Sequence, residues 1–178
     1  MQTHVMIDLE TLSTEPNAAI IAIGAVKFDQ AEPANMDRFY CPITVASNIE
    51  RKRHISASTL EWWMSKDQAE PWDMYMRSER QHIAVALDGF FDWFGPDSLP
   101  TWGNGATFDN VILADAFRQA GLRHPWSYKH DRCYRTVCNM APSVELKREG
   151  MYHNAVDDAQ TQAMHLRKVA SHLNLLLL

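Results

Sequence analysis

An α/β fold is predicted, a ribbon of strands forming a mixed five-stranded sheet with helices on both faces, and three observations carry it. The stretch HVMIDLE alternates apolar side chains as a half-buried strand does. The run AIIAIGAVKF follows after the turn signals of TLSTEPN. From about residue 55 onward helical stripes alternate with short extended runs, and a meander followed by such alternation makes a mixed sheet.

The first strand puts Val5, Ile7 and Leu9 on one face and Met6, Asp8 and Glu10 on the other. Asp8 and Glu10 therefore point the same way from alpha carbons about 6.5–7 Å apart. Partly burying two like charges is unfavourable, so a bound cation is the candidate that offsets it. AIIAIGAVKF is the second strand and MDRFYCPITV the third, with connections short enough for an antiparallel meander. ISASTLEWWMSKDQA is a helix with Ser56 or Ser58 as N-cap. ERQHIAVALDGFFDWFG is the next, its stripe of Ile83, Leu87, Phe90, Phe91 and Phe94 ending at Gly95. LPTWGNG enters a glycine turn as the fourth strand, and FDNVILADAFRQAGL is a helix closed by Gly121. An extended segment near 126–129, a helix over roughly 132–141 and a last helix over about 154–173 complete the chain. This order fits a ribonuclease-H-like fold, in which the first strand is central and the fourth lies beside it. Residues just past TWGNG then reach the acids of the first strand.

With 178 residues, 46% of them hydrophobic, residues 1–178 are expected to form a single domain around one sizeable core. No run has the length and apolarity to span a bilayer, and the N-terminus lacks a basic region followed by an apolar one. The expected compartment is the cytoplasm of a bacterial or phage-infected cell, with no membrane partner. Cys41, Cys133 and Cys138 lack zinc-site spacing and are expected to be reduced thiols. A formal charge of −5 argues against a protein that coats nucleic acid, but not against an enzyme whose carboxylates are neutralised by divalent metals. Basic residues still cluster, at Arg51-Lys52-Arg53-His54 and from Arg123 to Arg135 (RHPWSYKHDRCYR), where the bland reading is a solvated surface.

Two further acids are candidates for the same site. Asp109 opens the helix after Gly103-Asn104-Gly105. In HNAVDDAQTQA, Asn154 as N-cap puts Asp157 at N3, where a carboxylate is favoured locally, and turns Asp158 about 100° away. Asp158 is therefore assigned to a metal and Asp157 to capping or solvent. Asp8, Glu10, Asp109 and Asp158 together supply hard oxygen ligands for two divalent ions, Mg²⁺ or Mn²⁺ rather than Zn²⁺, since the set has no Cys or paired His. Trp62 and Trp63 offer aromatic faces on which bases can stack. Adjacent helical residues diverge, so one is expected in the core and the other near substrate.

Asp8-Leu9-Glu10, Phe108-Asp109, and His153 with four intervening residues before Asp158 resemble the DEDDh branch of the DnaQ-like 3′–5′ exonucleases. The resemblance covers the chain nearly end to end. IDLET with AIIAIGAVKFD, TLEWW, WGNGATFDN and DRCYRT are most similar to small bacterial and bacteriophage exonucleases related to the catalytic domain of exodeoxyribonuclease VIII. It implies hydrolysis of phosphodiester bonds at the 3′ end of single-stranded or frayed nucleic acid, DNA favoured, releasing nucleoside 5′-monophosphates by a two-metal mechanism. The catalytic set it implies is Asp8, Glu10, Asp109, Asp158 and His153, with His153 taking the proton from the attacking water. Thr11 and Leu12 would meet the terminal nucleotide, Leu12 wedged against its base, with Asn104 and Phe108 also at the substrate. Many relatives have two residues between that Asn and Phe-Asp, whereas Asn104 and Phe108 are separated by three. An exoribonuclease is the alternative enzyme, and a non-catalytic nucleic-acid-binding module the non-enzymatic one. The terminal LNLLLL is an apolar patch expected to meet a partner, preferably a second copy of the chain.

Overall fold

The computed structural model describes residues 3–31, 36–105 and 107–177. Strands β1 (Thr3–Thr11), β2 (Ile20–Asp29) and β3 (Asp37–Pro42) form an antiparallel meander. Short helices α1 (Val45–Glu50), α2 (Ala57–Trp63) and α3 (Ala69–Arg77) lead to α4 (Ile83–Phe94). Then come β4 (Thr101–Gly103), α5 (Asp109–Gln119), β5 (Asp131–Cys133), α6 (Tyr134–Cys138) and the long α7 (Ala155–His172). The sheet order is β3-β2-β1-β4-β5, with β4 parallel to both β1 and β5. This is the mixed five-stranded sheet expected, with β1 at its centre.

The alternation in β1 decides which helix covers which face. Val5, Ile7 and Leu9 pack with Leu87, Phe90 and Phe94 of α4 and with Ile112 and Phe117 of α5. Met6 faces the other way, into Val156, Ala159, Ala163 and Leu166 of α7. Those α7 residues recur at helical spacing, and the alanines among them let the helix lie low on the sheet. Closest approach is at Gly24, which sits opposite Asp8 in the β1–β2 register. A Cβ on Gly24 would collide with the backbone of Ala155 and Val156. On the other face Phe90 is fully buried against Phe39, Phe94 and Phe117, a burial that contributes roughly 1.5–3 kcal/mol and anchors α4.

Several elements differ from expectation. The third strand stops at Pro42, because Thr44 turns to cap α1 by accepting from the Ser47 N–H. Ser56 caps α2 as expected, but that helix ends at Trp63, and a 3₁₀ turn (Lys66–Gln68) separates it from α3. Phe91 is 46% exposed, one residue round the helix from Phe90 and off the buried stripe. The last extended segment pairs with β4 at Asp131–Cys133 rather than near 126–129, where Trp126 enters the core and Tyr128–His130 forms a 3₁₀ turn. Because β5 runs to Cys133, α6 is shorter than the 132–141 expected.

Arg53 is not a solvated residue. It is buried, donates to the Ala18 carbonyl at 2.8 Å and pairs with Asp115 at 3.2 Å, tying α5 to the turn after β1. The terminal leucines are only partly available to a partner. Leu177 packs into the α7 cluster and its N–H donates to Gln30 Oε1 at 2.9 Å, while Leu175 and Leu176 face outward and Leu178 lies outside the described residues. The three cysteines are half-buried free thiols. No helix among the described residues is long and apolar enough to cross a membrane.

Candidate active site

A cleft of about 440 Å³ opens where β1, β4, α2 and α7 meet. Asp8 and Glu10 enter it from β1, as the strand alternation requires. Asp109 begins α5 and is held by two backbone donors, Leu9 N–H at 3.1 Å and Asn104 N–H at 2.8 Å. Asp158 lies in the first turn of α7, behind the Asn154 cap, which accepts from Val156 and Asp157 N–H. Asp157 points away: it pairs with Arg38 at 2.6 Å and accepts from the Met151 N–H at 3.0 Å. The helix phase thus separates the adjacent aspartates in the way the cap predicts.

Packing these acids together disfavours their charged forms. Burial pushes Asp8 well above the usual carboxylate range, and Asp109, Glu10 and Asp158 push it further. Burial and then Asp158 and Asp109 do the same to Glu10. Asp109 rises to about 6 through burial, against the pull of its backbone donors. Asp158 is raised by burial and moderated by His153 N–H and Arg148. Glu10 Oε1 is buried with no hydrogen-bond partner among the described residues. Ligand atoms of Glu10, His153 and Asp158 lie within 4.8 Å of one another. An orphaned carboxylate oxygen, repelled acids and a convergent donor set all fit a divalent cation.

His153 sits at the mouth of α7 with φ of 59°, a left-handed conformation that costs a non-glycine residue about 1–2 kcal/mol. Its N–H donation to Asp158 Oδ2 at 2.9 Å helps offset that strain. The imidazole rests edge-on against Trp62, with centroids 4.8 Å apart, and beside Tyr152 at 3.7 Å. Burial first and the Arg148 charge second lower its pKa from 6.5.

The two tryptophans differ in burial. Trp63 is 3% exposed and donates to the Thr11 carbonyl at 2.9 Å, whereas Trp62 is 41% exposed on the cleft wall. Thr11, Asn104 and Phe108 also line the cleft. Leu12 does not. It is 1% exposed in the core with Ile21, Trp63 and Tyr75, because a register shift between Glu10 and Thr11 rotates the strand end inward. In this conformation it cannot wedge against a base. The Asn104 side chain is engaged by Arg135 at 3.3 Å, while Ala106, in the longer spacer before Phe108, lies outside the described residues.

Among the cleft residues that escaped the sequence reading are Gln162, Tyr134, Arg148 and Tyr152. Gln162 donates to Asp8 Oδ1 at 2.7 Å, and its position one helical turn after Asp158 is a signal that could have found it. Tyr134 lines the cleft, its hydroxyl 2.7 Å from His165 Nδ1. Arg148 donates to Asp158 Oδ1 at 2.9 Å with its guanidinium 3.8 Å over the Tyr152 ring. Arg148 and Tyr152 come from an irregular segment whose sequence has no periodicity to announce them.

Residues 3–170 match the 3′-5′ exoribonuclease Rv2179c-like domain family. The chain belongs to that family. Its fold is shared with E. coli exonuclease I in complex with a dT13 oligonucleotide, at TM-score 0.61 and 16% identity over 98% of this chain and 43% of that one. A zinc-bound form of the E. coli exonuclease I complex with single-stranded DNA matches at TM-score 0.61 and 17% identity over 98% and 41%. The nuclease domain of 3′hExo, a DEDDh family member bound to rAMP, matches at TM-score 0.58 and 15% identity over 96% and 92%. This chain thus spans less than half the length of the exonuclease I chains. No curated protein sequence matches it. The family is thus described as one of 3′-5′ exoribonucleases, and the fold is one that solved exonucleases share.

Proposed function

We propose that this chain is a metal-dependent exonuclease that removes nucleoside 5′-monophosphates one at a time from the 3′ end of single-stranded nucleic acid. The observation that carries the reading is the convergence of Asp8, Glu10, Asp158 and His153 on one cleft, with Asp109 buried behind them and close enough to raise Asp8 and Glu10, so that the acids are left in mutual repulsion. The sequence favoured DNA. The family description points instead to RNA, and the solved relatives hold dT13 in one case and rAMP in another, so RNA is the substrate to try first and DNA its comparison. The likeness to exodeoxyribonuclease VIII rests on sequence motifs alone.

The four carboxylates would hold Mg²⁺ or Mn²⁺, two ions being the number that such a set suits, and these when bound neutralise the acids and polarise the scissile phosphate. His153, its pKa held below 6.5, is neutral at about pH 7.5 and can accept the proton of the attacking water. Trp62 offers its face to the terminal base, and the Thr11 side of the cleft bounds the sugar. Gln162 keeps Asp8 oriented.

The test is a product ladder. The protein is incubated with 5′-labelled RNA and DNA of one sequence, with Mg²⁺, Mn²⁺ or EDTA. Stepwise shortening from the 3′ end, with release of 5′-monophosphates and none in EDTA, is expected. Intact strands with both metals, or full activity in EDTA, would overturn the reading.

A further inference from the structure

The basic run ending at Arg135 has no place in the chemistry above, yet Arg135 stands beside the cleft. A second hollow of about 450 Å³ shares Thr14, Asn104 and Phe108 with it, so the two form one continuous trough. Arg135, Thr136 and Asn139 line the outer part and are exposed. Despite its exposure the Arg135 guanidinium is anchored: Nη2 donates to the Asn104 carbonyl at 2.8 Å and Nε to Asn104 Oδ1 at 3.3 Å. Both acceptors are neutral, and none of the ion pairs among the described residues involves Arg135. No contact ion pair therefore neutralises it, although its field reaches Asp109 and moderates the rise that burial causes there. Nη1 and the second hydrogen of Nη2 remain for a ligand.

We propose that the outer trough is the track of the upstream strand, and that Arg135 binds a phosphodiester on the 5′ side of the scissile one. This rests on the exonuclease reading and extends it. With the terminal base against Trp62 and the reacting phosphate at the carboxylates, the rest of the strand leaves past Asn104 and Phe108. A chain of net charge −5 repels a polyanion, so a rigid, unpaired guanidinium at that exit supplies attraction where the strand needs it. Guanidinium is suited to the task because its fork matches phosphate oxygens.

The test compares kcat/KM for RNA strands of two to six nucleotides, with Mn²⁺, at several salt concentrations. For Arg135→Gln the loss should grow with length, to about 5- to 20-fold on the hexanucleotide and several-fold less on the dinucleotide, as expected for one charge-assisted phosphate contact. The salt dependence on the hexanucleotide should become shallower by about 0.7 in log–log slope, the value for one phosphate of a single strand. Arg135→Lys should recover part of the loss. Thr136→Glu, which adds a carboxylate to the same exposed shelf without touching the Asn104 anchor, should reproduce the length-dependent loss even if Arg135→Gln folds poorly. Equal losses at every length with an unchanged salt slope would overturn the track while leaving the exonuclease reading intact. A wild-type protein that shortens no strand of any length would overturn both.

Discussion

Replacing Glu10 by Gln should make the metal-free protein more stable while destroying its response to metal. Ligand atoms of Glu10 and Asp158 lie within 4.8 Å. At an effective dielectric of about 20, two unit charges at that distance repel by about 3 kcal/mol. Arg148, 2.9 Å from Asp158, cancels part of this, leaving about 2 kcal/mol for removal of the Glu10 charge. At about 2–4 °C per kcal/mol for a chain of this size, Tm should rise by roughly 4–8 °C. The sign depends on pH. Glu10 has a folded-state pKa raised above its unfolded value, so the native state retains protons that the unfolded chain has released. The Glu10 contribution to metal-free stability should therefore be greatest near pH 4.5 and be lost as pH rises toward 8. The variant should match wild type at the low end and exceed it at the high end. The assay is thermal unfolding in EDTA across that range, repeated with Mn²⁺, which should stabilise wild type at pH 8 and the variant far less. Equal or lower Tm for Glu10→Gln at pH 8 in EDTA, or equal stabilisation by Mn²⁺, would refute the reasoning.

Asp158→Asn should lower kcat by at least about 10²-fold, whereas Asp157→Asn, which loses an exposed pair with Arg38 and weakens the Met151 contact, should cost less than about 10-fold; steady-state kinetics at saturating Mn²⁺ distinguish them. His153→Ala should lower kcat by about 10²–10⁴, the usual worth of a positioned base. In wild type the acid limb of the pH–rate profile should lie below pH 6.5, since activity is lost as pH falls through the depressed imidazole pKa, and the limb should vanish in His153→Ala. Arg148→Gln should move that limb upward by removing the neighbouring positive charge, and should tighten Mn²⁺ binding about 2- to 10-fold in calorimetry, because the guanidinium competes for Asp158.

Regular elements made much of this site readable in advance. The period of β1 put Asp8 and Glu10 on one face because every second side chain must share a side, and the α7 cap separated Asp158 from Asp157 because consecutive helical residues diverge. Legibility failed where the backbone is irregular. The register shift after Glu10 broke the alternation and sent Leu12 into the core. A three-residue β5 is too short to display a period, so its position was misplaced by a few residues. Arg148 reaches Asp158 from a segment between α6 and α7 that only the folded chain brings over the cleft. Gln162 was available from spacing, but a neutral amide carries no chemical signature until its partner Asp8 is seen.

Gly24 gives the site a dependence that inspection of its ligands would not disclose. It does not line the cleft, yet it stands across from Asp8 at the point where the first turn of α7 touches the sheet. A methyl group there must lift that turn, and with it the Asn154 cap, Asp158 and the His153 backbone link to it. In a saturation-mutagenesis map, position 24 should therefore be as intolerant as a metal ligand although it performs no chemistry. Transplanting the acids onto another sheet would fail without a matching gap beneath the receiving helix.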